Sequence, residues 1–121
     1  MKNQSFRRRF AFAILGIRAA ILSEASFQTQ LLLALGAAGV LAWLRPPLVW
    51  VAMCVLSAAG VLALELVNTA LERLADRLHP EIHVAIQTAK DCAAGAVLVA
   101  SATAAAIGTI TVAIGLGWLK A

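Results

Sequence analysis

Glu65, Asn68, Glu72 and Asp76 follow one another at intervals of three and four residues, which on a helix of 3.6 residues per turn sets all four in one sector. Three carboxylates and an amide oxygen form a stripe of hard ligands. Such donors suit Mg²⁺, which is commonly held by one or two carboxylates and completed by water and substrate phosphates. The stripe is therefore matched to metal–phosphate chemistry. The competing assignment is a solvated helix face on which Glu72 and Asp76 pair with Arg73 or Arg77. Glu65 fits that assignment badly, because it directly follows the apolar residues 60–64. A charge at the hydrocarbon edge is costly enough to point to function.

Other chemistry is thinner. His79 and His83 are four residues apart, but no third imidazole or nearby thiol completes a zinc set. A loop role is expected for them. Cys54 and Cys92 adjoin apolar runs and read as small buried side chains rather than a disulfide. There is no Gly-x-x-x-x-Gly-Lys-Ser/Thr loop and no glycine-rich loop of the protein-kinase kind, so a bound nucleotide needs another cradle. The basic N-terminus is explained by anionic lipid, and no nucleic-acid partner is expected.

The elements that must position the stripe are membrane helices. With 62% hydrophobic and only 13% charged residues, and a mean hydropathy of +0.90, the chain lacks the polar surface of a water-soluble domain. No Lys, Arg, Asp or Glu interrupts the segments between Glu24 and Arg45, Arg45 and Glu65, or Asp91 and Lys120. Each is long enough to cross a bilayer. The expected spans are 28–45, 47–67 and 91–118, with a turn at Pro46 and Pro47. The whole of 1–121 reads as a single all-α membrane domain.

Charge sets the orientation. Lys2, Arg7, Arg8, Arg9, Arg18, Arg73, Arg77 and Lys90 fall on one side of this topology, leaving Arg45 and Lys120 for the other. The basic excess puts the N-terminus in the cytoplasm. All six acidic residues, Glu24, Glu65, Glu72, Asp76, Glu81 and Asp91, then share the cytoplasmic side. Before the first span, Phe10, Ile14, Ile17 and Ile21 recur on one helical face. With Arg18 breaking the apolar run too early for a cleaved signal, residues 5–26 are expected to form an amphipathic helix on the membrane surface. In the third span Ala96, Ala100, Ala104 and Gly108 form a small-residue ladder that lets helices approach closely in lipid. Three spans enclose little interior, so association of subunits is expected.

The segment Glu65–Asp76, followed by Ala89, Lys90 and Asp91 and the small-residue opening of the third span, resembles the prokaryotic diacylglycerol kinase family of small membrane lipid kinases. The similarity extends to Gly16, Ile17, Arg18, Ala19 and Ala20, and to the run from Ser23 to Phe27. The resemblance implies ATP-dependent, Mg²⁺-dependent phosphorylation of a lipid hydroxyl in a homotrimer of the bacterial inner membrane, whose sites combine neighbouring subunits. Residue by residue it implies Glu65 as general base, Glu24 and Glu72 as metal ligands, and Asn68 in support. Asp76, Glu81, His83, Lys90 and Asp91 join Glu24 and Glu72 around the nucleotide. Arg18, Trp43 and Glu65 are the expected lipid contacts.

Gln30 stands where such proteins often carry an acid and Phe12 where they carry a tyrosine, while Arg7, Arg8 and Arg9 align with no single basic position. The segments His79–Pro80 and Ala93–Val97 also look like the undecaprenol kinase branch. Diacylglycerol is the first expected substrate and undecaprenol the second. The reading from a different class is a small membrane scaffold or transport subunit whose acids bind cations.

Overall fold

Helix formation runs unbroken through the hydrocarbon edge where the acids begin. In the computed structural model, which describes residues 3–121, the helix that starts after Pro47 continues to Leu78. Residues 66–78 contain many good helix formers and neither Gly nor Pro. It ends at His79 (φ −142°, ψ 76°), outside the helical region that a following proline, here Pro80, disfavours for its predecessor.

Four helices are present among the described residues: α1 (Phe6–Ser23), α2 (Ala25–Leu44), α3 (Leu48–Leu78) and α4 (Val84–Gly115). The last three are long and apolar enough to cross a membrane. The chain is thus a multi-pass helical membrane protein. At 1.5 Å per residue α3, with 31 residues, is about 46 Å long against a hydrocarbon core of roughly 30 Å. Its surplus carries the acidic stripe out of the bilayer.

Several boundaries differ from the expected ones. α1 stops at Ser23, and Ala25, Ser26 and Phe27 belong to α2. The joint is the single extended residue Glu24 (φ −112°, ψ 109°), which neither Gly nor Pro announces. Gln28 reaches back from α2 to donate to the Ile21 carbonyl at 2.8 Å, satisfying an acceptor that the end of α1 leaves open. At the other end Arg45 is left-handed (φ 51°), and its N–H closes α2 on the Leu41 carbonyl at 2.9 Å. α4 begins at Val84 instead of 91 and stops at Gly115 instead of 118. His83 caps its start, the ring Nδ1 accepting from the Ala85 N–H at 3.1 Å. Lys2, counted among the basic residues, lies outside the described residues.

The main packed pair is α3 with α4. Burial is sparse: Ala20, Phe27, Val61 and Val97 are the buried apolar residues, with Glu65 and Thr111 buried among the polar ones. Cys54 and Thr111 face each other across α3 and α4 at 3.3 Å. All four residues of the small-residue ladder are half-buried, and two of them, Ala104 and Gly108, border an apolar cavity of about 730 Å³ between α2, α3 and α4. The tightest glycine approach is Gly115, where an added Cβ would meet the Leu44 Cβ at 3.0 Å.

Candidate functional site

Polar contacts gather the acids at one end of the bundle. The helical repeat places Glu65, Asn68, Glu72 and Asp76 along one side of α3, and exposure rises along them. Glu65 is 5% exposed, Asn68 and Glu72 are half-buried, and Asp76 is open. Asn68 Nδ2 donates to Glu72 Oε1 at 3.4 Å. Its Oδ1 is buried without a hydrogen-bond partner. Such an orphaned acceptor is rare in a finished structure and calls for a water, an ion or a ligand.

Glu24 comes from the α1–α2 joint. It acts on Glu65 through like-charge repulsion, as does Glu72. Glu24, Glu65 and Glu72 thus share one field although Glu24 is remote from the others in sequence. Among the described residues no three His, Cys, Asp or Glu side chains converge into a metal cage. The donor set has the other composition suited to Mg²⁺: few carboxylates and an amide oxygen, the kind of site that substrate phosphates and water complete.

The nucleotide candidates line the loop side. Lys90 Nζ donates to Asp76 Oδ1 at 2.6 Å and ties α4 to α3. Asp91 accepts from Gln87 at 2.9 Å on its own helix. Glu81 is exposed, and its carbonyl sits 3.0 Å from His79 Nδ1. The His79 and His83 rings meet edge-on at 5.7 Å. Because Nδ1 of His83 accepts a backbone N–H, the ring proton is on Nε2, leaving that edge available as a donor. Arg18 is exposed on α1.

Trp43 is not brought to this cluster. It lies 78% exposed near the far end of α2, a helix of 20 residues and so about 30 Å long. The pairing of Arg73 with Glu72 or Asp76 that the competing solvated-face assignment would give is not what forms. Arg73 reaches to Glu24, donating from Nη2 at 2.7 Å and Nε at 3.1 Å to Oε1, while Asp76 takes Lys90. This link joins positions 49 apart in the chain, a separation that helical spacing cannot reveal. Gln30, the departure noted in α2, points its amide to Ser101 of α4 at 3.5 Å.

Residues 11–112 match the family described as prokaryotic diacylglycerol kinase. Over 100 residues the chain is 33% identical to a diacylglycerol kinase of Synechocystis, a match that covers 82% of this chain and 57% of that protein. Over 85 residues it is 33% identical to diacylglycerol kinases of Escherichia coli and Shigella flexneri, covering 70% of each partner in the comparison. With a buried carboxylate, an orphaned amide oxygen and an ion-paired lysine on the matched segment, the chain belongs to the prokaryotic diacylglycerol kinase family, a family of membrane lipid kinases.

Proposed function

We propose that this chain transfers the γ-phosphoryl group of ATP to the hydroxyl of a membrane lipid at the cytoplasmic face of the bacterial inner membrane, converting diacylglycerol to phosphatidic acid. The observation that carries this reading is the buried Glu65 carboxylate beside the unpartnered Asn68 Oδ1 and Glu72, at the level where α3 leaves its apolar stretch. A lipid hydroxyl arrives at that depth from the bilayer and phosphates arrive from water.

Glu65 takes the proton of the attacking hydroxyl. Glu72 and Glu24 are the carboxylates that would hold Mg²⁺, with Asn68 in support. When bound, that ion supplies charge neutralisation to the transferring phosphates. Lys90, steadied by Asp76, offers a positive charge to the phosphates, and Glu81, His83 and Asp91 border the nucleotide. Phosphoryl transfer demands positioning and charge compensation more than covalent chemistry, so a conventional kinase domain is not needed. Arg18 meets the lipid headgroup region, with α1 lying on the membrane surface through Phe10, Ile14, Ile17 and Ile21, all exposed in the single chain.

Assembly as a homotrimer completes the sites between neighbours, supported by the ladder residues Ala104 and Gly108, which border an apolar cavity. The basic asymmetry supports a cytoplasmic N-terminus. Reporters near Glu81 should therefore be cytoplasmic and reporters at Ala121 on the opposite face. A cytoplasmic Ala121 overturns the orientation.

The function is tested with purified protein given ATP, Mg²⁺ and equal diacylglycerol and undecaprenol, with product lipids identified by mass. Phosphatidic acid should dominate. Predominant undecaprenyl phosphate moves the substrate to the second lipid, and ATP consumption that ignores both lipids removes the enzyme reading in favour of a scaffold or transport subunit.

A further inference from the structure

α1 has little to hold it on the bundle. Its single buried residue is Ala20, and the cleft between α1 and α3 is lined mostly by small side chains, among them Ala13, Gly16 and Ala70, with Ile17 and Leu66 as its large apolar residues. Small side chains bury little area and so contribute little docking energy. Something else must keep the joint against α3.

Among the described residues, the only side-chain hydrogen bonds from α1 or its joint to α3 are those of Arg73. Nη2 donates to Ser23 Oγ, whose hydroxyl in turn donates to the Ala19 carbonyl at 2.6 Å. Nη2 and Nε both donate to Glu24, and both choose the same atom, Oε1. A side-on bidentate grip would occupy both carboxylate oxygens. This grip occupies one and leaves Oε2 without a guanidinium contact. The side chain of Arg73 is 51% exposed and that of Glu24 29%, so the clamp stands at the water edge where a nucleotide enters.

We propose that Arg73 is a positioning residue: it fastens the α1–α2 joint to α3 and presents the second oxygen of Glu24 toward the site without competing for it. The proposal rests on the reading of Glu24 as a cation ligand. Arg73 touches neither substrate nor reacting atoms and acts through Glu24 and Ser23.

The test uses the full chain in nanodiscs, with Cys54→Ala and Cys92→Ala as background. Spin labels on Leu15→Cys and Leu78→Cys, diluted with unlabelled protein, report the α1–α3 distance without metal. Mn²⁺ with a non-hydrolysable ATP analogue then reports affinity by calorimetry. Arg73→Ala should broaden the distance distribution and weaken the Mn²⁺–nucleotide complex by roughly 3–10-fold, between the scale of exposed ion pairs and that of groups that orient metal ligands. Arg73→Lys should fall between, because an ammonium keeps the charge but lacks the fork. An unchanged distribution in Arg73→Ala overturns the clamp. Tighter or unchanged affinity in Arg73→Ala, where Glu24→Gln is impaired, overturns the positioning role, tighter binding marking Arg73 as a competitor of the cation. Unchanged affinity in Glu24→Gln rejects the ligand role itself and with it the positioning, and a broadened distribution then leaves Arg73 as a fastener of helices only.

Discussion

The two ends of the bundle are held together by different physics. At the acidic end, segments remote in sequence meet through charge: Arg73 with Glu24, Lys90 with Asp76. At the other end, α2 and α4 meet through bare contact of Leu44 with Gly115, and the cavity below is lined mainly by apolar and small side chains. Ion pairs near water are individually weak and reversible, whereas packed contacts in lipid tolerate little change of volume. The difference teaches where this protein can move and where it cannot. A site that must admit and release a polar nucleotide belongs at the end whose fastenings water can replace.

The comparison breaks most visibly at Glu65. Glu65→Gln preserves shape but removes the proton acceptor, and should lower turnover by about 10²–10⁴-fold while Mg²⁺–nucleotide binding is retained. Glu72→Gln should instead weaken that binding, on the order of tenfold or more, as for the loss of a charged partner. Turnover measured beside nucleotide affinity on folded protein separates them. Near-normal turnover in Glu65→Gln eliminates it as the base, and unchanged affinity in Glu72→Gln leaves that residue without its proposed role.

The packed end sharpens the comparison with a smaller effect. Gly115→Ala presses a methyl on the Leu44 Cβ at 3.0 Å, whereas Gly108→Ala meets nothing within 4 Å. The first should cost about 1 kcal/mol, and the second should be neutral or slightly favourable in the single chain. Thermal unfolding in one detergent ranks them. A Gly108→Ala variant that loses assembly while keeping its helix content would show that a neighbouring copy seats on the ladder.

Much of this was legible in the sequence, and for identifiable reasons. Charge-free intervals located the three crossing helices, because lipid excludes unpaired charge, and the three-and-four spacing located the stripe, because α3 is a regular helix. The limits of α3 and α4 were misplaced, because hydropathy marks the membrane edge and not the end of a helix that continues into water. The joint at Glu24 was placed late, since its extended backbone is set by neighbours: Gln28 on the Ile21 carbonyl and Arg73 on the carboxylate. Helical periodicity offered Arg73 to the wrong partners, because sequence spacing sees one helix and the true contact crosses two. Trp43, expected among the lipid contacts, stands a helix length from the acids, a distance that becomes visible once α2 is oriented.

α3 is one rod from Leu48 to Leu78, with no proline and no break where it passes from lipid to water. Such a rod answers bilayer thickness by tilting as a whole. Glu65 and Glu72 then change height together, and the Arg73 clamp on the same rod draws the joint at Glu24 along with them. A thicker or thinner bilayer thereby shifts these acids as one body relative to the hydrocarbon edge.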